Sequence, residues 1–201
     1  MKQLAILIPT LPVRVNKYAR LVNKLNEQII RHGLIDKIQI VSFCDTKDYL
    51  VGHKRNELVR LSLAKYICFI DDDDDISDNY ISKVYNASLS DVDCVTFWGE
   101  YRTNNKVKNI SFNLDYKHDS ETSDCYLRYP NHLSLVKRSI ALKCPFPLKN
   151  FGGDYDYSLL LKKHLKTQVH IREKLYFYNF NSATSQTDSN SKSNQFQENK
   201  K

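Results

Sequence analysis

Tyr66-Ile67-Cys68-Phe69-Ile70 runs without a break into Asp71-Asp72-Asp73-Asp74-Asp75. Apolar residues with no polar alternation read as a strand buried on both faces, the kind found in a parallel sheet. Carboxylates crowded at its carboxyl end repel one another and lose part of their hydration. A bound divalent cation offsets that cost most simply. An acidic run is also a common solvated loop or helix N-terminus, and Ser77-Asp78 just downstream could open a helix. The rest of the chain has to choose between these readings.

Leu4 to Ile8 is a second all-apolar strand, ended by Pro9-Thr10-Leu11-Pro12. A helix follows, capped by Asn16, with Tyr18, Leu21, Val22, Leu25 and Ile29 at helical spacing and Gly33 at the C-terminal cap position. Ile38 to Cys44 is a strand ending at Asp45, and Lys54 to Ala64 a helix with Leu58 and Leu61 inward. Beyond the Asp run, Ser77 or Asp78 opens a helix carrying Ile81, Val84, Tyr85 and Leu89, and Asp93 to Trp98 is a further strand. Strands alternating with helices specify an open α/β sheet flanked by helices. In such sheets ligands bind beyond the carboxyl ends of the strands, where Thr10, Asp45 and the Asp run all fall.

From Tyr101 to Pro130 the periodicity fades into a polar excursion with short alternating pieces such as Val107 to Leu114. His132 to Val136 reads as a strand and Lys137 to Leu142 as a short helix. Phe151-Gly152-Gly153 is a turn, and Asp154 opens a helix with Tyr157, Leu160, Leu161 and Leu165 inward. Gln168 to Ile171 and Leu175 to Tyr178 read as two closing strands. The Ser-, Asn-, Gln- and Lys-rich stretch 181–201 has almost nothing to bury and is expected to be a disordered polar tail. The expectation is one domain over 1–180.

The formal charge of +7 surrounds one concentrated acidic spot, which suits an anionic ligand delivered to a metal site and equally suits solubility. Five cysteines, odd in number and without a C-x-x-C pair, point to a reducing compartment and no structural zinc. No signal peptide or membrane-spanning run is visible, so a cytoplasmic protein is expected. Pro9-Thr10-Leu11-Pro12 is not a glycine-rich phosphate loop, and no Ser-His-Asp arrangement can be placed. None of the six histidines has convincing metal-ligand spacing. All read as surface or core residues, with His132 alone able to face an acceptor groove.

Taken in order, several pieces carry a resemblance: Leu4-Ala5-Ile6-Leu7-Ile8-Pro9-Thr10; Asp45; Gly52-His53-Lys54-Arg55-Asn56; Phe69-Ile70-Asp71-Asp72-Asp73-Asp74 with Asp78-Asn79-Tyr80-Ile81; and Phe151-Gly152-Gly153-Asp154-Tyr155-Asp156-Tyr157. Over roughly 3–178 the chain resembles the family 2 glycosyltransferases of the GT-A fold, particularly small stand-alone members of phages and bacteria. The resemblance implies a Rossmann-like, mixed but mostly parallel sheet flanked by helices. It makes 1–100 the nucleotide-sugar-binding half and 101–180 the acceptor-side half. It also implies transfer of a sugar from a nucleotide-diphosphate donor to an acceptor hydroxyl.

By the same resemblance Asp71 and Asp73 are the D-x-D pair. Asp73 binds a divalent metal, Mn2+ or Mg2+, through the diphosphate, and Asp71 lies near the donor ribose or the metal. Asp72 alternates away along an extended segment. Asp45 accepts a hydrogen bond from the nucleotide base, Thr10 and Leu11 line the base pocket, and Arg55 contacts the donor, ahead of Lys54. Asp154 is the base of an inverting transfer, with Asp156 as its backup. The chain departs from the family pattern at Gly153, where the family has Glu. The acceptor is a glycan, a protein or, given the basic body, a hydroxylated base in phage-type DNA. A non-catalytic nucleotide- or sugar-binding module is the remaining alternative.

Overall fold

The computed structural model describes residues 1–103, 106–150 and 152–179. The expected polar tail and Phe151 therefore lie outside the described residues. The chain runs β1 (Lys2–Thr10), a single 3-10 turn (Pro12–Arg14), α1 (Val15–Arg31), β2 (Ile38–Cys44), α2 (Val51–Leu61), β3 (Ala64–Phe69), β4 (Asp75–Ile76) and α3 (Tyr80–Ser88). It continues through β5 (Cys94–Arg102), β6 (Val107–Phe112), β7 (Ser120–Glu121), β8 (Cys125–Arg128), β9 (Leu135–Lys137), α4 (Arg138–Ala141), α5 (Gly153–Lys162) and β10 (Gln168–Asn179).

The strands form one mixed, mostly parallel sheet in the order β2-β1-β3-β9-β5-β6-β8-β7. β1 pairs in parallel with β2 and with β3, and β10 runs parallel to β5. The short β9 lies antiparallel between β3 and β5. β5 is shared: Cys94 and Val95 pair with β9, Trp98 to Arg102 pair with β6, and the other edge carries β10.

The unbroken apolar runs of β1 and β3 follow from burial on both faces. Leu4, Ile6 and Ile8 point with Tyr66, Cys68 and Ile70 into a core closed by Leu21 and Leu25 of α1 and Ile81 and Val84 of α3. Ala5, Leu7, Ile67 and Phe69 point the other way, against Leu58 and Val59 of α2 and Tyr157 and Leu161 of α5. Several details differ from the sequence expectation. α1 starts at Val15, before the expected cap Asn16; α2 begins at Val51 rather than Lys54; and Leu61 and Leu89, expected inward, are exposed. The strand expected over His132 to Val136 is the shorter β9, and the two expected closing strands are one strand, β10, with register irregularities around Lys174. No helix among the described residues is long and apolar enough to cross a membrane.

Candidate active site

β1, β2 and β3 all end at one edge, and the chain reaches that edge again through the N-terminus of α5. α2 lies beneath it, and four residues of Gly52-His53-Lys54-Arg55-Asn56 each make a different long-range contact. Gly52 lets the helix approach the 145–150 loop: a Cβ there would sit 1.9 Å from the Pro147 carbonyl oxygen. Asn56 holds the same loop in both directions, donating to the Phe146 carbonyl at 2.9 Å and accepting its N–H at 2.8 Å. Lys54 is buried and donates to Asp45 Oδ1 at 2.6 Å and to the Thr10 carbonyl at 3.3 Å.

Arg55 is the hub. Its Nη1 donates to Asp154 Oδ1 in a short contact and its Nη2 to Asp71 Oδ1 at 3.3 Å. The guanidinium is buried beside the rings of Phe69 (5.8 Å to the centroid) and Phe146 (5.3 Å), and its Nε has no hydrogen-bond partner. A buried arginine is tolerable when charge partners compensate its desolvation, and here two carboxylates do so. His132, buried in the turn before β9, completes the group. Its Nδ1 lies 3.2 Å from Asp154 Oδ1 and its Nε2 3.7 Å from Asp71 Oδ2, neither aligned as a hydrogen bond. Burial works to raise the Asp71 pKa, but Arg55 and then His132 outweigh it and hold the carboxyl well below the usual range.

The five aspartates of the run have different surroundings. Asp72 is 1% exposed and accepts from Thr10 Oγ1 at 2.7 Å and Arg14 Nη1 at 2.8 Å. Asp74 is also buried. It accepts from the Tyr176 hydroxyl at 2.5 Å and the Asn179 N–H at 2.8 Å, and burial, then the charge of Asp71, push its pKa well up. Asp75 lies 3.2 Å from Lys24 Nζ and accepts its neighbour's N–H at 2.8 Å. Asp71 and Asp73 keep side-chain exposures of 25% and 20%.

Asp73 lies 3.2 Å from Arg14, yet burial and the charges of Asp71 and Asp72 still raise its pKa. Negative charge thus remains incompletely neutralised around it. Carboxylate oxygens are the donor type that Mg2+ or Mn2+ takes, and Asp71 and Asp73 supply them, although no group of three or more His, Cys, Asp or Glu among the described residues is arranged to hold a metal ion.

At the same sheet edge, after β1 and β2, lies a cleft of about 310 Å³ lined by Leu11, Tyr49, Leu50, Val51, Lys54 and Asn150 among others, and by none of the five aspartates of the run. Its size suits a small ligand. Leu11 and Lys54 face it, while the Thr10 hydroxyl turns away to Asp72. Asp45 already accepts from Lys54 and from the Tyr49 N–H at 2.9 Å; burial opposes its ionisation, but these hydrogen bonds hold its pKa low.

Asp154 sits in the first turn of α5 after Gly152, whose φ of 67° suits glycine. It is 45% exposed, and both of its charged contacts reach Oδ1, leaving Oδ2 without a partner among the described residues. Asp156 instead pairs with Lys149 and makes no contact with Arg55 or Asp71.

The structure thus brings Arg55, Asp71 and Asp154 into one group and places Leu11 in the cleft. Arg14, His132, Tyr176 and Asn179 were not singled out by sequence reasoning as partners of the Asp run. Each is joined to it by tertiary contact and left no local pattern in the sequence.

No protein-family profile matches the chain, and neither does any curated protein. Solved structures do. Staphylococcus aureus TarS 1–349 superposes with a TM-score of 0.62 at 11% identity, covering 88% of this chain and 60% of that one. The same fragment in complex with UDP-GlcNAc gives 0.62 at 11%, covering 92% and 62%. The catalytic domain of Drosophila β1,4-galactosyltransferase 7 with xylobiose gives 0.57 at 14%, covering 94% and 75%. The chain therefore spans about 60% of the TarS fragment it matches. At such identities the likeness is one of fold: the mixed, mostly parallel, helix-flanked sheet of this protein is a GT-A glycosyltransferase fold.

Proposed function

We propose that the protein is a glycosyltransferase of the family 2 kind, moving a sugar from a nucleotide-diphosphate donor to an acceptor hydroxyl. The observation that carries this reading is the Arg55 bridge. It joins a carboxylate at the end of β3 to a carboxylate at the start of α5, beside a ligand-sized cleft at the same sheet edge. The fold supports it, since solved GT-A structures include one holding UDP-GlcNAc. The base and ribose occupy the cleft at Leu11 and Lys54, with Asp45 at its margin. Asp73 and Asp71 would hold Mn2+ or Mg2+, which would supply positive charge to offset the negative charge developing on the diphosphate leaving group.

Asp154 takes the proton from the acceptor hydroxyl as its oxygen attacks the anomeric carbon, giving inversion. Arg55 holds Oδ1, with His132 close beside it, so Oδ2 accepts the proton. Arg55 also bridges Asp154 to Asp71 and so sets their separation. The acceptor is a glycan or protein, and the unpaired thiols suit a cytoplasmic setting. A screen of thermal stability with UDP-, GDP-, TDP- and CMP-sugars, with and without manganese, tests the reading. Stabilisation by at least one sugar nucleotide, larger with manganese, is expected; stabilisation by none, with the metal present, would sink it.

A further inference from the structure

Lys54 is a buried ammonium whose partners do not use all of its donors. Its side chain is 5% exposed and lines the cleft. Nζ donates to Asp45 Oδ1 at 2.6 Å and to the Thr10 carbonyl at 3.3 Å, which takes two of its three N–H groups. Asp45 has no such reserve. Its Oδ1 accepts from Lys54, its Oδ2 accepts the Tyr49 N–H at 2.9 Å, and it does not line the cleft. The buried pair holds the ammonium in place, so its remaining donor serves the cleft from a fixed point, unlike that of an exposed lysine on a flexible stem. Thr10 stands between Lys54 and the acidic run, with its carbonyl accepting from Lys54 and its hydroxyl donating to Asp72 at 2.7 Å. Tyr49 lines the same cleft, 49% exposed and stacked on His53 with ring centroids 4.7 Å apart, and supplies a flat wall for a planar ligand.

We propose that Lys54, seated on Asp45, reads the nucleobase of the donor and selects a keto base (uracil, thymine or guanine) over an amino base. The inference rests on reading the cleft as the nucleoside site. For the diphosphate to reach Asp71 and Asp73, the ribose has to lie toward the acidic run. The base edge opposite the glycosidic bond then meets Lys54, on the far side of Thr10 from Asp72. That edge carries a carbonyl oxygen at C4 of uracil and thymine and at C6 of guanine, and an amino group at the same positions of cytosine and adenine. An ammonium has donors only, so it bonds the carbonyl and leaves the amino group unpaired against a buried positive charge. Asp45 acts as the positioning residue for Lys54 and does not itself touch the base.

Calorimetric titration of UDP, dTDP, GDP, CDP and ADP, with Mn2+ present, tests it in wild type and in the double variant Lys54→Met, Asp45→Asn, which removes the ammonium without stranding a carboxylate. The best-bound keto nucleotide is also compared with its analogue carrying sulfur in place of the C4 or C6 carbonyl oxygen. Wild type is expected to bind at least one of UDP, dTDP and GDP about ten- to a hundredfold tighter than CDP and ADP, the scale of a hydrogen bond to a charged group. It should lose a similar factor with the sulfur analogue, because sulfur is the weaker acceptor, and in the double variant keto and amino nucleotides should converge. CDP or ADP binding wild type as tightly as the best keto nucleotide overturns the proposal. A keto preference that survives in the double variant, or a sulfur analogue bound as tightly as its parent, does the same. An equal loss of all five in the double variant makes Lys54 a ribose contact or a wall of the cleft, again overturning it. If the double variant does not match the wild-type melting temperature, the sulfur analogue in wild type decides. Wild type binding none of the five removes the donor reading itself, whereas binding without a keto preference removes only this proposal.

Discussion

At the scale of single residues, the carboxylates are separated by their partners rather than by their chemistry. Asp154 and Asp156 lie two apart on one helix, but only Asp154 meets Arg55 and His132, while Asp156 is tied to Lys149. Asp154→Asn is therefore expected to lower turnover by about 10²–10⁴-fold, the usual worth of a general base, with donor affinity preserved. Asp156→Asn should cost little; kcat and KM for the two variants, measured with the same donor, check this, and equal losses would contradict it. Lys54 tests the cleft wall. Both it and Asp45 have 5% side-chain exposure, so Lys54→Met strands a carboxylate and is expected to cost about 3 kcal/mol in denaturant unfolding. The Asp45 pKa is lowered in the fold, so its contribution is present above about pH 4 and is lost as pH falls through the lower native value. The Lys54→Met deficit should accordingly shrink in acid.

At the scale of elements, α2 ties the sheet edge to the 145–150 loop. Alanine in a helix ordinarily gains about 1 kcal/mol over glycine. At Gly52 the 1.9 Å approach to the Pro147 oxygen reverses that sign, because backbone has to move. Gly52→Ala should lower the melting midpoint by about 2–8 °C and reduce turnover through displacement of the 145–150 loop. A stabilised, fully active variant would contradict the coupling.

The β5–β10 ladder makes a second prediction. The Trp98 indole N–H donates to His170 Nε2 at 3.0 Å, and Thr96 Oγ1 lies 3.0 Å from Nδ1, so the ring has to keep Nε2 unprotonated. Burial, then Arg172, lower its pKa. A lowered histidine pKa gives stability that is full above about pH 6.5 and is lost as pH falls through the native value. Urea midpoints at pH 7.5 and 5.5 should therefore differ more for wild type than for His170→Gln.

The strands that build the site's floor are legible in the sequence because burial on both faces leaves an unbroken apolar run, as in Leu4–Ile8 and Tyr66–Ile70. β10 is not, because exposed Arg172, Glu173 and Lys174 interrupt the run where its pairing shifts register. The start of α2 is hidden for a different reason: Gly52 reads as a break until its contact with Pro147 explains it. The tethering of Asp74 by Tyr176 and Asn179, and the approach of His132 to Asp71, depend on pairings across 60 or more residues and leave no local pattern.

At the scale of the whole molecule, the sheet gathers residues from β1, β3, α2, the turn before β9 and α5 at one edge, in a GT-A fold. The central claim is that Asp73 and Asp71, out of the five aspartates, make donor binding depend on a metal. The direct test titrates the sugar nucleotide that best stabilises the protein into wild type, Asp73→Ala and Asp75→Ala, with and without Mn2+. Wild type should bind more tightly with Mn2+, Asp73→Ala should lose that dependence, and Asp75→Ala, whose carboxylate is held by Lys24 and its own turn, should keep it. Equal losses in the two variants would show a diffuse charge patch and contradict the assignment.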